Sequence, residues 1–209
     1  MNIQRITVKD QIYEIVREKI LTQEYELGSK INMLELSKEL NVSNTPIREA
    51  LSMLERDGLI TNKPNAGPSV VDFTESSFKT VSFAVEALEI GSLELCLSFN
   101  LREKLIEMLE SQLELQKSAY QENNRQKLAK ISMHFDGAII ECTGNEYLSK
   151  MFGEMSDIFY LIHKYVSTSD EDLIRQHNDI LQAIKNHEDD LARGLIKEHY
   201  SIKIGRAHV

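Results

Sequence analysis

The sequence predicts a mostly α-helical chain, in which a winged helix-turn-helix at the amino-terminal end precedes an all-α antiparallel helical bundle. Three short amphipathic segments come first, two short β-type segments around a turn follow them, and apolar residues then recur at helical spacing to the end. A chain of 209 residues with 42% hydrophobic content is long enough for two small cores. We therefore expect two domains, 1–73 and 74–202.

The first part of the chain carries the spacing of three helices. Apolar residues three and four apart predict a first helix over 8–21 and a short second helix around 34–40. Polar residues 41–44 separate the second helix from a third, expected over about 45–57. A tight turn between two short helices is typical of a helix-turn-helix.

Two β-type segments follow the third helix. Residues 58–61 and 69–73 are predicted as strands on either side of residues 62–68, whose Pro, Asn and Gly supply turn geometry. The sequence thus predicts a hairpin that would form the wing.

Six further helices are predicted from Thr74 onward. Their apolar residues recur three and four apart, and the breaks between them are polar, as at 123–124 and 144–145. The expected ranges are 75–98, 101–123, 125–142, 145–166, 170–187 and 189–202.

Charge and composition restrict the function classes. The net charge is −9, so a nucleic-acid function would depend on where the few cations lie. Cys96 and Cys142 lack the spacing of a disulfide framework, which favours reduced thiols and a cytoplasmic location. No stretch approaches about 18 uncharged apolar residues, and the first residues do not form a signal peptide, so we expect no membrane insertion.

The last six residues resemble a translated adapter sequence. Residues 204–209 read IGRAHV, which is what a widely used sequencing-adapter DNA encodes in one reading frame. We therefore expect 203–209 to be a non-native tail, and His208 is left out of every candidate site.

The strongest local pattern is VSNTPIREAL at 42–51, followed by LERDGLI at 54–60. Ser43 suits a helix N-cap, and Pro46 suits the first helical turn, where no backbone donor is needed. Arg48 projects from that turn, where a side chain can pair with a guanine or lie near a phosphate. One arginine near a helix start is common, so the whole segment has to be considered.

Residues 8–73 resemble the winged helix of the GntR family of bacterial transcription factors, in the first helix, the Leu27-Gly28 turn, the two stretches just quoted and the glycine-bearing wing. Two residues depart from the family, since Asn44 stands where Arg is usual and Met33 where Glu is usual. Because this domain is nearly neutral, strong binding is expected to need a homodimer that doubles the DNA contacts. The resemblance implies that the following residues contact operator DNA: Ser43, Asn44, Thr45, Pro46, Arg48, Lys63, Asn65 and Gly67.

The helical part, over about 75–202, resembles the FCD-type ligand-binding domain of the FadR subfamily. The resemblance implies a dimeric regulator whose affinity for double-stranded operator DNA is controlled by a small-molecule effector, expected to be an organic or sugar acid. The matching features are Ala87-Leu88-Glu89, Thr143-Gly144-Asn145 with Leu148, Gln176-His177, the ILQAI stretch at 180–184, and Asp190-Leu-Ala192 leading to His199.

The resemblance also implies a divalent metal site. Many members hold the metal with an Asp and a His four residues apart and with two later His, and these positions fall here on Ser132, Asp136, His177 and His199. Ser132 cannot replace the first ligand, but Asp136, His177 and His199 form a two-His-one-carboxylate set that suits Zn, Mn, Fe or Ni. His134 lies about 200° round the helix from Asp136 and is not expected to join.

Two further expectations concern the cavity that would hold the effector. Val85 stands where the family tends to carry an Arg that holds a carboxylate effector, so the effector would be less acidic than usual or held by the metal alone. Helical phase alone suggests Tyr160, His163 and Arg175 as cavity residues.

Two other interpretations remain open. The helical part could serve dimerisation only, without effector or metal, since an isolated His on a helix is more often a structural residue than a ligand. It could instead be an enzyme whose metal activates water. We find no partnered general base, nucleophile elbow or phosphate loop, so no enzyme activity is expected.

Overall fold

The computed structural model describes residues 6–63, 66–165 and 169–201. The chain divides into two compact units, Met1–Thr74 and Glu75–Val209. Asn65 of the predicted wing and the predicted tail at 203–209 lie outside the described residues.

The first unit begins with three helices, α1 (Val8–Leu21), α2 (Met33–Leu40) and α3 (Asn44–Arg56). A capping box between Thr7 and Asp10 begins α1, and the Asn32 side chain caps α2. Asn41 ends α2 in the left-handed conformation and so begins the tight turn to α3. The buried side chains of these helices form a small core, with Val16, Ile20, Leu36, Ile47, Ala50 and Leu54 among them.

The wing is an antiparallel hairpin of β1 (Ile60–Lys63) and β2 (Gly67–Val70), with Ile60 opposite Val70 and Lys63 opposite Gly67. The strands extend further into the turn than predicted, since residues 62, 63, 67 and 68 are paired. The Pro68 carbonyl accepts a hydrogen bond from Ile31 N (2.9 Å), on the side away from β1. Because the nitrogen of a strand residue faces the same side as its carbonyl, the N–H that proline lacks is not needed for pairing with β1.

The second unit contains six helices among its described residues. They are α4 (Glu75–Ser98), α5 (Arg102–Gln121), α6 (Arg125–Cys142), α7 (Glu146–Tyr165), α8 (Asp170–Lys185) and α9 (Asp189–Tyr200). These ranges agree with the predicted helices to within two residues at each end. Three of the predicted polar breaks end a helix with a positive φ, at Asn123, Gly144 and His187, and Asn100 between α4 and α5 does the same without having been predicted.

Helix α6 lies at the centre of the second unit and packs against α4, α5, α7 and α8. Its residues from Phe135 to Ile140 are all buried, so polar side chains there must find partners inside the protein. Cys96 and Cys142 are buried thiols, and burial raises the pKa of Cys96 to about 12. Among the described residues, no helix is both long and apolar enough to cross a membrane.

Candidate metal centre and DNA-binding surface

Three side chains predicted as metal ligands meet inside the second unit. Asp136 lies on α6, His177 on α8 and His199 on α9, and each is at most 1% exposed. Nε2 of His177 lies 3.4 Å from Asp136 Oδ1, and Nε2 of His199 lies 3.8 Å from the same oxygen. One potential ligand atom from each of the three residues lies within 4.8 Å of those of the other two.

Two glutamines orient the imidazole rings. His177 Nδ1 lies 2.8 Å from Gln116 Oε1, and His199 Nδ1 lies 2.7 Å from Gln176 Oε1. Because an amide oxygen only accepts hydrogen bonds, we assign the ring proton to Nδ1 in both histidines, which directs the lone pair of each Nε2 toward Asp136. Phe135 stacks on the His177 ring with centroids 4.1 Å apart, which further fixes its plane.

The centre disfavours charge in the absence of a cation. Burial lowers the pKa of His177 to about 3, so this imidazole is neutral at physiological pH. Burial also raises the pKa of the Asp136 carboxyl well above its usual value. Two imidazole nitrogens and a carboxylate are the donor set that a divalent transition metal takes in proteins, so the residues present fit such an ion.

The other candidates near the centre do not join it as ligands. Ser132 is fully buried one turn before Asp136, but a serine hydroxyl supplies no charge. His134 is exposed and lines a surface groove of about 260 Å³ with Met108 and Met133, in agreement with its predicted orientation.

Of the three cavity candidates suggested by helical phase, Arg175 lies on the surface, where it lines a groove of about 450 Å³ with Tyr120 and Ile174. Its side chain is 62% exposed and forms an ion pair with Asp172 one turn away on the surface of α8. Tyr160 is buried, and the side chain of His163 lies outside the described residues.

Sequence reasoning did not assign a role to a second buried carboxyl beside the centre. Glu89 on α4 is 1% exposed, and burial together with the nearby Asp136 carboxyl raises its pKa well above the usual value. The Tyr200 hydroxyl lies beside it, outside ordinary hydrogen-bond geometry. The signal was available, because Glu89 interrupts the buried face of α4 between Val85 and Leu93.

In the first unit, α3 presents a polar edge to solvent. Ser43, Asn44, Thr45 and Arg48 are exposed, and Pro46 is half-buried in the first turn. Ser43 occupies the N-cap position as predicted, but its side chain makes no capping hydrogen bond. Its hydroxyl therefore does not cap the helix.

A groove of about 260 Å³ separates α3 from the hairpin. Arg48 and Glu55 from α3, Asn62 from β1 and Gly67 from β2 are among its lining residues. Lys63 is exposed at the end of β1. The first unit therefore places the first turn of a short helix next to a β-hairpin, which is the arrangement of a winged helix-turn-helix.

A winged helix followed by an all-α unit with a buried polar centre is the architecture of a one-chain transcriptional regulator. The gntR family of bacterial regulatory proteins matches residues 8–70, and the FCD domain matches residues 81–201. The chain belongs to the GntR family and carries an FCD effector-binding domain.

Similar proteins cover nearly the whole chain. A transcriptional regulator of Bacillus subtilis, YdhC, is 25% identical over 91% of this chain and 87% of its own length. The transcriptional repressor RspR of Escherichia coli is 25% identical over 92% of this chain and 85% of its own. A GntR-type structure from Rhodococcus has the same fold, with a TM-score of 0.75 at 15% identity, and covers 92% of this chain and 93% of its own.

Proposed function

We propose that this regulator binds a palindromic operator as a homodimer, and that a small metabolite bound in the FCD domain changes its affinity for that operator. The observation that carries the proposal is a buried polar centre in the helical domain of a chain whose other domain is a winged helix. A hydrophobic core has no need of two histidines and a carboxylate converging within 4.8 Å. Since the target is chromosomal operator DNA, we expect the protein to act in the cytoplasm.

The DNA-binding part of the proposal assigns the reading role to α3. Arg48 would contact a guanine in the major groove, with Asn44, Thr45, Ser43 and Pro46 along the same edge. From the wing, the set includes Lys63, Gly67 and Asn65, the last outside the described residues. Support comes from the exposure of the α3 side chains and from the groove that Arg48 shares with Gly67.

The ligand-binding part assigns a divalent metal, of the Zn, Mn, Fe or Ni type, to Asp136, His177 and His199. A metal held by three protein ligands keeps open positions, where it would bind the acidic group of an organic or sugar acid. The protein contributes the neutral histidine tautomers through Gln116 and Gln176. Support comes from the burial and the distances of these side chains.

The test is operator binding with and without ligand. An operator selected from random DNA should be palindromic, and its affinity for the metal-loaded protein should change on addition of an acidic metabolite from a screened panel. The variant Asp136→Asn should keep operator affinity and lose this response. A response that is unchanged in Asp136→Asn would contradict the assigned effector site.

A further inference from the structure

Glu89 lies beside the centre and does not belong to its ligand set. The carboxyl is 1% exposed, and its two oxygens accept no hydrogen bond of ordinary geometry from the described residues. It lies close enough to Asp136 for the two charges to interact. Glu89 is nevertheless absent from the group whose ligand atoms lie within 4.8 Å of one another.

Two buried hydroxyls accompany the two carboxyls. Ser92 follows Glu89 by three residues on α4, and Ser132 precedes Asp136 by four residues on α6. Both serines are fully buried, and neither hydroxyl makes a hydrogen bond to the described residues. Because helical residues three and four apart share a face, each hydroxyl lies on the face that carries a carboxyl, and α4 packs against α6.

These side chains offer hydrogen-bond acceptors and two buried carboxyls without a cation. No lysine or arginine is among the buried residues of the described chain. Val85, one turn before Glu89, is apolar and fully buried, and the half-buried Glu86 lies within electrostatic range of Glu89 without belonging to this set of buried side chains. Buried acceptors are stable when they receive hydrogen bonds, and a buried carboxylate when it meets an opposite charge.

We propose that Glu89 binds a protonated amine of the effector, with the hydroxyls of Ser92 and Ser132 as additional acceptors. An ammonium supplies three donors and a positive charge, whereas a ligand hydroxyl or amide could donate but not neutralise the carboxylate. The proposal rests on the proposed function in one respect, namely that the acidic group of the same effector binds at the metal. The effector class is therefore an amino-carboxylate.

The test compares ω-amino acids with their amine-free counterparts by isothermal titration calorimetry. The amino acid probes are β-alanine, γ-aminobutyrate and 5-aminovalerate, and their amine-free counterparts are propionate, butyrate and valerate. In the three amino acids the amine is not adjacent to the carboxylate, so it competes poorly for chelation of the metal. Each is titrated into zinc-loaded and metal-free parent protein, Glu89→Gln and the matched control Glu86→Gln. Zinc stoichiometry is measured on every variant.

At least one amino acid should bind the zinc-loaded parent about tenfold or more tightly than its amine-free counterpart. Glu89→Gln should remove this preference while keeping the affinity for the amine-free acid and the zinc stoichiometry, and Glu86→Gln should behave like the parent. If Glu89→Gln fails to fold, Ser92→Ala should weaken the amino acid selectively.

Three results would overturn the proposal. The first is an amine preference that survives in Glu89→Gln, and the second is amine-free acids that bind as well as the amino acids. The third is the lack of binding of every probe at about 10 mM. If the parent takes up no zinc but Glu89→Gln still removes an amine preference, the assignment of the metal centre is wrong and the proposed role of Glu89 is retained.

Discussion

At the residue scale, the proposed metal centre depends on two glutamines as much as on its three candidate ligands. A histidine binds metal through one nitrogen while the other is held by a neighbour, and Gln116 and Gln176 provide that neighbour for His177 and His199. With Nδ1 fixed as the donor, each ring directs Nε2 toward Asp136. The two hydrogen bonds therefore fix the ring orientations that the proposed metal site requires.

The first prediction concerns metal binding. Protein stripped with a chelator should take up one zinc, manganese or nickel ion per chain and gain thermal stability, because the ion binds the folded state alone. His177→Ala should abolish both effects. The control is His134→Ala, which removes an exposed histidine two residues from Asp136 and should bind metal like the parent.

Elemental analysis and melting curves measure this prediction. Asp136→Asn provides a second variant if His177→Ala does not fold. Metal-free parent protein that shows no melting shift with any of the three ions would favour a helical domain that serves dimerisation only.

The second prediction concerns base recognition. Arg48→Ala should weaken specific operator binding by about 1–3 kcal/mol and relax specificity at one base pair of each half-site, because a bidentate contact to guanine is lost. The variant Arg17→Ala, on α1, changes the same charge at a position without an assigned DNA contact. Fluorescence anisotropy at matched salt measures both, and equal operator affinity of Arg48→Ala and parent would place the recognition surface elsewhere.

Sequence reasoning located the three candidate ligands but not their supports. Asp136, His177 and His199 follow from the resemblance to the FCD pattern, whereas the Gln116 contact joins residues 61 positions apart. One signal was overlooked, because Gln116 continues the buried stripe of Leu105, Leu109 and Leu113 on α5. A polar side chain on such a stripe needs a partner, but its identity comes from tertiary packing alone.

At the element scale, helix ends were predictable and close helix packing was not. Left-handed residues such as Asn123 and Gly144 mark the ends in the sequence itself. The close packing of α6 against α7 at Gly137 could not be predicted from the sequence, because a glycine within a helix can have several structural reasons. The strands of the hairpin were also predicted about two residues too far from the turn, because the hydrogen bond from Ile31 to Pro68 comes from a distant segment.

The third prediction tests that close packing. A Cβ atom at Gly137 would lie 2.7 Å from Cε1 of Phe152, so Gly137→Ala should destabilise the protein by about 1–3 kcal/mol despite the better helix propensity of alanine. Gly153, on α7, has nothing within 4 Å of the corresponding position. Gly153→Ala should therefore stabilise by up to about 1 kcal/mol. Denaturant unfolding measures both, and the same sign for the two substitutions would contradict the packing argument.

The fourth prediction concerns the junction of α8 and α9. Arg102 Nη1 donates to Ile184 O (2.8 Å), and Nη2 donates to Asp189 Oδ2 (2.9 Å), so one side chain joins the end of α8 to the start of α9. Arg102→Ala should cost about 1–2 kcal/mol of unfolding free energy. Arg125→Ala, which removes an exposed ion pair with Asp170, should change it by less than about 0.5 kcal/mol.

The pH dependence of the Arg102 effect has a definite sign. Arg102 lowers the pKa of Asp189 below 3.8 in the folded protein. An acid with a depressed folded pKa stabilises the fold above its unfolded pKa and loses that contribution as the pH falls through the folded pKa. The difference between parent and Arg102→Ala should therefore be constant near neutrality and shrink below about pH 4. A difference that grows with acidification would contradict the assigned pair.

At the scale of the whole molecule, a nearly neutral DNA-binding domain is joined to an acidic helical domain. Few lysine and arginine side chains are available for phosphate contacts, so the binding of one winged helix releases few counterions from the DNA. Two copies on one palindrome double those contacts, and the second copy binds at a high effective concentration. We therefore expect the helical domain to dimerise and the operator affinity to depend on that dimer.

The fifth prediction follows from this dependence. A fragment of residues 1–74, which corresponds to the first compact unit, should fold with the helix content of α1 to α3 but bind the full operator at least about a hundredfold more weakly than the whole chain. Fusing the fragment to an unrelated dimeric coiled coil should restore much of the lost affinity, and Arg48→Ala in that fusion should remove it again. Analytical ultracentrifugation establishes the oligomeric state of each protein before its operator affinity is compared. If the monomeric fragment binds as tightly as the whole chain, the helical domain controls operator binding by some means other than pairing two winged helices.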